Sequence, residues 1–123
     1  MKVLLSIKPQ FADKIFSGEK KFEFRRTIFK NKDIKKILVY ASAPVQKVIG
    51  EFEIDEIVCQ DIQTLWSMTG EHAGISEEYF NAYFTGKEQG FAIKIKNLRK
   101  FKTAQCIRKD YNAFPPQSFI YIT

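Results

Sequence analysis

Hydrophobic and polar positions along the chain switch several times between the period of a strand and that of a helix. Val3 to Ile7 is a short apolar run with a β-branched residue at each end, which predicts a buried strand. Pro9 suits the first position of a helix, Phe11, Ile15 and Phe16 recur at helical spacing, and Gly18 is placed to end it. A strand follows over 21–29, with Phe22 and Phe24 on one face and Lys21, Glu23, Arg25 and Thr27 on the other. Ile37 to Ala41 predicts a further strand, ended by Ser42-Ala43-Pro44. From Val48 to Val58, Phe52 and Ile54 alternate with Glu51, Glu53 and Asp55, the pattern of one buried and one wet face. Gly50 within that run signals a bulge or a close backbone approach.

Two short helices come next. Asp61 is a candidate cap for the first, which carries Leu65, Trp66 and Met68. Ser76 caps the second, whose first turn holds Glu77 and Glu78 as the helix dipole favours. Its stripe Tyr79, Phe80, Tyr83 and Phe84 is the spacing of a core face, and aromatics so placed also stack bases. Gly90 to Leu98 alternates again, with Phe91, Ile93 and Ile95 inward, and Phe119 to Ile122 forms a last strand. Five or six strands with three short helices predict an α+β fold, a small mixed sheet or barrel.

A length of 123 residues is expected to make one domain spanning 1–123, and 45% hydrophobic residues with 12 phenylalanines imply a packed interior. The net charge of +6 favours anionic partners such as nucleic acid. Basic residues crowd between Lys20 and Lys36, and Glu51, Glu53, Asp55, Glu56 and Asp61 form an acidic span. Either two surfaces of opposite sign result, or paired strands neutralise one another. Cys59 and Cys106 lack metal-ligand or disulfide spacing, which fits free thiols in a reducing compartment. No signal peptide or membrane-length apolar segment is present, so a soluble, cytoplasmic protein without membrane contact is expected.

Candidate chemistry is concentrated in Gly18 to Arg26, GEKKFEFRR. Glu23 and Arg25 stand two apart on one strand face, as in a polar pocket for phosphate or a nucleobase edge, and equally as on an ordinary solvated face. Lys20 beside aromatic walls acts as a base if burial lowers its pKa, or binds phosphate if it stays charged. Glu71 is a further carboxylate, and His72, the sole histidine, sits in the loop Gly70 to Gly74. No phosphate loop, dinucleotide fingerprint or metal-ligand cluster is visible, so neither a cofactor nor a metal is expected.

The segment LLSIKPQFADKIFSGEKKFEFRR, Leu4 to Arg26, resembles the opening of ASCH-domain proteins, members of the PUA-like superfamily. The pattern G-x-K-x-x-E-x-R is met by Gly18, Lys20, Glu23 and Arg25. Val39 to Pro44 and Val48 to Phe52 are similar to the family's next strands, and Pro115-Pro116-Gln117-Ser118-Phe119 resembles a C-terminal feature of a bacterial and phage subgroup. The resemblance implies a PUA-like β-barrel of five to six strands with short flanking helices and a cleft beside GEKKFEFR. It implies an RNA, nucleotide or nucleoside ligand, held by Lys20, Glu23, Arg25, Tyr40, Ser42 and Ser118, with Tyr40 stacking. Some bacterial members look like enzymes, acting as ribonucleases or hydrolysing N4-acetylcytidine. In an enzyme of either kind the catalytic residues would be Lys20 with Glu23 or Glu71. The amidohydrolase branch has a threonine three residues after its lysine, and this chain has Glu23 there.

Overall fold

A computed structural model describes residues 1–123. Six strands form one mixed sheet: β1 (Lys2–Ile7), β2 (Phe22–Arg25), β3 (Lys36–Ala41), β4 (Lys47–Asp61), β5 (Gln89–Gln105) and β6 (Phe119–Ile122), in the order β2-β5-β4-β3-β1-β6. Only β1 and β3 run parallel, and α1 (Pro9–Ser17) lies in the connection that returns from one to the other. Helices α2 (Ile62–Thr69) and α3 (Glu77–Tyr83), joined by a 3-10 turn at Gly70–His72, lie between β4 and β5. A fourth helix, α4 (Ile107–Tyr111), follows β5.

The sheet does not close into a barrel, because the outer strands β2 and β6 do not pair with each other. Instead Ser118, next to β6, bonds the guanidinium of Arg25 on β2, so a side-chain contact bridges the gap. β2 is shorter than the run 21–29 predicts. It stops at Arg25, and the Arg26 guanidinium donates to the Tyr83 and Thr85 carbonyls at 2.7 and 2.8 Å. β4 and β5 run on instead to 15 and 17 residues as one long antiparallel pair, each satisfying the other's backbone.

The helix boundaries follow local chemistry. Gly18 ends α1 at φ 86°, a left-handed conformation that glycine adopts without strain. Asp61 and Ser76 cap α2 and α3 by accepting from the Thr64 and Tyr79 backbone N–H groups. Gly50 is both a bulge and a close approach: strand register shifts beside it, and a Cβ there would lie 2.5 Å from the Phe16 ring.

Three apolar clusters hold these elements together. One packs alternate residues of β1 and β3, Val3, Leu5, Ile37 and Val39, against Ala12 and Ile15 of α1. The opposite faces of the same strands bury Leu4, Leu38 and Tyr40 with Val48 and Ile107. The third joins Phe24 and Ala92 to Leu65, Phe80 and Phe84, fixing α2 and α3 beside β2. Phe80 is fully buried there, and a buried phenylalanine is worth about 3–5 kcal/mol against alanine.

Two residues of the acidic span, Glu51 and Asp55, are matched within the fold, though mostly not by the basic segment 20–36. Glu51 meets Lys2, Lys36 and Arg99 at 3.3–3.9 Å, and Asp55 meets Lys94 and Lys96 at 3.6 and 3.9 Å.

Candidate functional site: a cationic cleft beside the second strand

The residues around β2, the end of β1, α1, α3 and the segment before β6 enclose a cleft of about 650 Å³. Its volume lies within the usual range for small-ligand sites. Alternation on β2 places Phe24 in the cluster under α2 and α3 and turns Glu23 and Arg25 the other way. Glu23 and Arg25 are 7% and 9% exposed, which rules out the solvated face as a reading of this pair. They face each other at 3.4 Å, and the second guanidinium nitrogen donates to Ser118 Oγ at 2.6 Å. Ser118 is in turn fixed by its own carbonyl, which accepts from the Ser6 backbone N–H of β1.

Lys20 enters from the turn after α1 and is 2% exposed. Its ammonium donates to the Ala73 carbonyl at 2.7 Å and lies over the Phe24 and Phe11 rings at 4.8 and 5.6 Å. No carboxylate approaches it within salt-bridge distance. Burial therefore pulls its pKa below the ordinary 10.5; the charge of Glu23 partly restores it, and Lys14 adds to the lowering. The lining carries four cationic side chains, Lys8, Lys20, Arg25 and Arg26, against the single carboxylate of Glu23.

The aromatic stripe of α3 divides between core and cleft. Phe80 and Phe84 are buried in the cluster, whereas Tyr79 and Tyr83 line the opening. Tyr83 donates to the Phe24 carbonyl at 3.2 Å, and burial raises its hydroxyl pKa, so it stays neutral. Tyr79 accepts from Lys8 Nζ at 3.1 Å and meets Phe11 edge to face.

Of the residues singled out in the sequence, Lys20, Glu23, Arg25, Ser42 and Ser118 come together at this cleft. Tyr40 does not. It is 2% exposed and packs with Leu4, Val48 and Ile107, so its ring has no free face for a base. Glu71 is exposed on the 3-10 turn and is not part of the lining. His72 touches the site through its main chain, where its carbonyl accepts from the Lys21 N–H. Lys8 and Phe11 line the cleft without having been picked out for it, and Tyr79 and Tyr83, whose stripe offered core packing or base stacking, line it too. A lysine just before the proline that opens α1, and tyrosines rather than phenylalanines at two stripe positions, were the available signals.

This small mixed sheet with its short helices is also the architecture of known proteins. Residues 1–113 match the family described as "Domain of unknown function (DUF365)". The chain is 36% identical over 122 residues, 97% of its length and 82% of the relative's, to an "ASCH domain-containing ribonuclease" of Zymomonas mobilis. The crystal structure of ASCH from Zymomonas mobilis superposes with a TM-score of 0.91 at 34% identity, covering 99% of this chain and 87% of that one. The chain therefore belongs to the ASCH-domain family. It is also 27% identical over 121 residues to a large ribosomal subunit protein uL22 of Ureaplasma parvum, where it spans 39% of the longer protein.

Proposed function

We propose that the cleft binds RNA, taking one nucleotide and the phosphate beside it. The observation that carries this reading is Lys20, a buried cation whose direct hydrogen-bond partner is a neutral carbonyl, in a cleft with four cations and one carboxylate. A buried charge without a counter-charge is costly, and a bound phosphate relieves that cost. Arg25 and Lys20 contact the phosphate, and Glu23 orients Arg25 or accepts from a base amino group. Ser42 and Ser118 supply hydroxyls, and Tyr83 and Tyr79, not Tyr40, offer rings for stacking. The names of the Zymomonas relative and of the ribosomal-protein relative both point to RNA.

Arg25→Ala tests this directly by fluorescence anisotropy with labelled single-stranded RNA across a salt series. The expected result is weaker binding and a log–log salt slope smaller by about 0.7 for each phosphate left without its cation. Equal affinity and slope in variant and wild type would remove Arg25 from the interface.

Cleavage of the bound RNA is the second reading, favoured by the lowered pKa of Lys20 and by the relative named a ribonuclease. A neutral Lys20 amine takes the proton of a ribose 2′-hydroxyl, whose oxygen attacks the adjacent phosphorus. The P–O5′ bond breaks, the leaving oxygen takes up a proton from water, and a 2′,3′-cyclic phosphate remains; the Lys20 ammonium then returns its proton to solvent. Arg25 stabilises the charge on the phosphorus oxygens, and Glu23 is the carboxylate within the cleft. Lys20→Ala is then expected to abolish cleavage on denaturing gels, and unchanged turnover would exclude Lys20 as the base.

A further inference from the structure

A second concavity, of about 720 Å³, lies between the loop 26–35 and the outer surface of β4 and β5. Its floor is apolar, with Ile54, Ile57 and Phe91, and Lys30, Lys32 and Lys35 stand around its rim. The three lysines are exposed, and none lies within 4 Å of a carboxylate. Asp55, the one acid in the lining, is already matched by Lys94 and Lys96. The groove thus has a surplus of positive charge over an apolar floor, the combination that takes a polyanion with flat apolar rings.

The loop is held in place. The Lys30 and Asn31 N–H groups both donate to the Tyr121 hydroxyl at 3.2 Å, Asp33 N–H donates to the Asn31 side chain, and the Lys35 carbonyl accepts from Ile54 N–H. Little ordering is then left for a ligand to impose.

Strand register connects this groove to the cationic cleft. Arg25 is the register partner of Phe91, and Phe91 of Cys59, so the three stand in a row on one face of the sheet. With neighbouring strands about 4.8 Å apart, Arg25 in the cleft and Cys59 in the groove are about 10 Å apart. Arg26 and Thr27 line the cleft while Ile28 and Phe29 line the groove, so a single stretch of chain walls both.

We infer that the groove is a second RNA contact, holding the nucleotides that flank the one in the cleft, with phosphates at Lys30, Lys32 and Lys35 and bases over Ile57 and Phe91. This rests on the RNA reading of the cleft and adds a direction to it: the strand leaves past Arg25 and crosses β5 and β4.

The test compares wild type with a Lys30→Ala/Lys32→Ala/Lys35→Ala variant, using a dinucleotide and an oligoribonucleotide of about 12 nucleotides, within the span such platforms take. The dinucleotide is expected to bind both proteins equally. The longer RNA is expected to bind at least about tenfold more weakly to the variant, with its salt slope falling by about 2 because three phosphates go without a cation. Ile57→Glu, at an exposed position, is expected to weaken the longer RNA alone as well. If the wild type binds both RNAs and the variant matches it on the longer one, the groove proposal fails and the cleft reading stands. Equal weakening for both lengths would also overturn it, since the lysines would then act as bulk charge. A wild type that binds neither RNA removes the cleft reading and the groove with it. Binding of a poly-glutamate peptide that needs the three lysines and is not displaced by RNA would reassign the groove to an acidic protein partner.

Discussion

Glu51 and Lys20 are buried to a similar depth, 5% and 2% exposed, yet their surroundings are opposite. Glu51 lies on a central strand with Lys2, Lys36 and Arg99 around it, each long enough to keep part of its side chain in water. Lys20 has two aromatic rings and a carbonyl. The first charge is satisfied by the fold itself, and the second has no carboxylate within 4 Å. A buried charge signals a binding site when its partners are missing, and burial alone says little.

Glu51→Ala separates the two sites most sharply. It takes the shared carboxylate from three cations and is expected to lower stability in urea unfolding by about 2 kcal/mol, softened because those cations are partly exposed and can rehydrate. RNA affinity should be unchanged, and wild-type stability in this variant would show that the pairs on Glu51 contribute nothing. Lys20→Met inverts the pattern. It keeps the length and removes the charge, so stability should hold or rise by up to about 1 kcal/mol. RNA affinity should fall by roughly tenfold, about 1.4 kcal/mol. A stability loss comparable to that of Glu51→Ala would make Lys20 a structural residue.

The smallest effect is that of pH. The pKa of Lys20 is lower in the folded chain than its ordinary 10.5, so between the two values the unfolded state holds more protons. Burying this lysine therefore costs stability most below its folded-state pKa, and the cost fades as pH rises towards 10.5. The stability gap between Lys20→Met and wild type should accordingly narrow from neutral to alkaline pH, and a constant gap would contradict burial as the cause. Over the same interval RNA binding should weaken as Lys20 loses its charge, whereas cleavage that uses its neutral amine should accelerate.

Most of the strands and three of the helices were legible in the chain because their signals are local: alternation in β4, Pro9 and Gly18 around α1, and side-chain caps at Asp61 and Ser76. Helix α4 was not, since five residues carry too little periodicity and its cap is the thiol of Cys106. Closure of the sheet is equally invisible, being decided by whether β2 and β6 meet. Tyr40, which lies outside the cleft, illustrates the same limit. Strand β3 is buried on both faces, so alternation does not say which face of it borders a cavity. Glu23 and Arg25 were picked out by their spacing, but spacing does not show that Arg25 also bonds Ser118, 93 residues further along the chain.

The loop at 70–74 holds Lys20 and its neighbour through main-chain carbonyls, Ala73 for the ammonium and His72 for the Lys21 N–H. A carbonyl is the same whatever side chain accompanies it, so the exposed positions 71 and 72 are free to drift in a library of variants without disturbing the lysine. Gly74 has no such freedom: it sits at φ 69°, and a Cβ there would fall 2.6 Å from the Cβ of Lys20. Selection for RNA binding on this loop should therefore return many residues at 71 and 72 and glycine at 74.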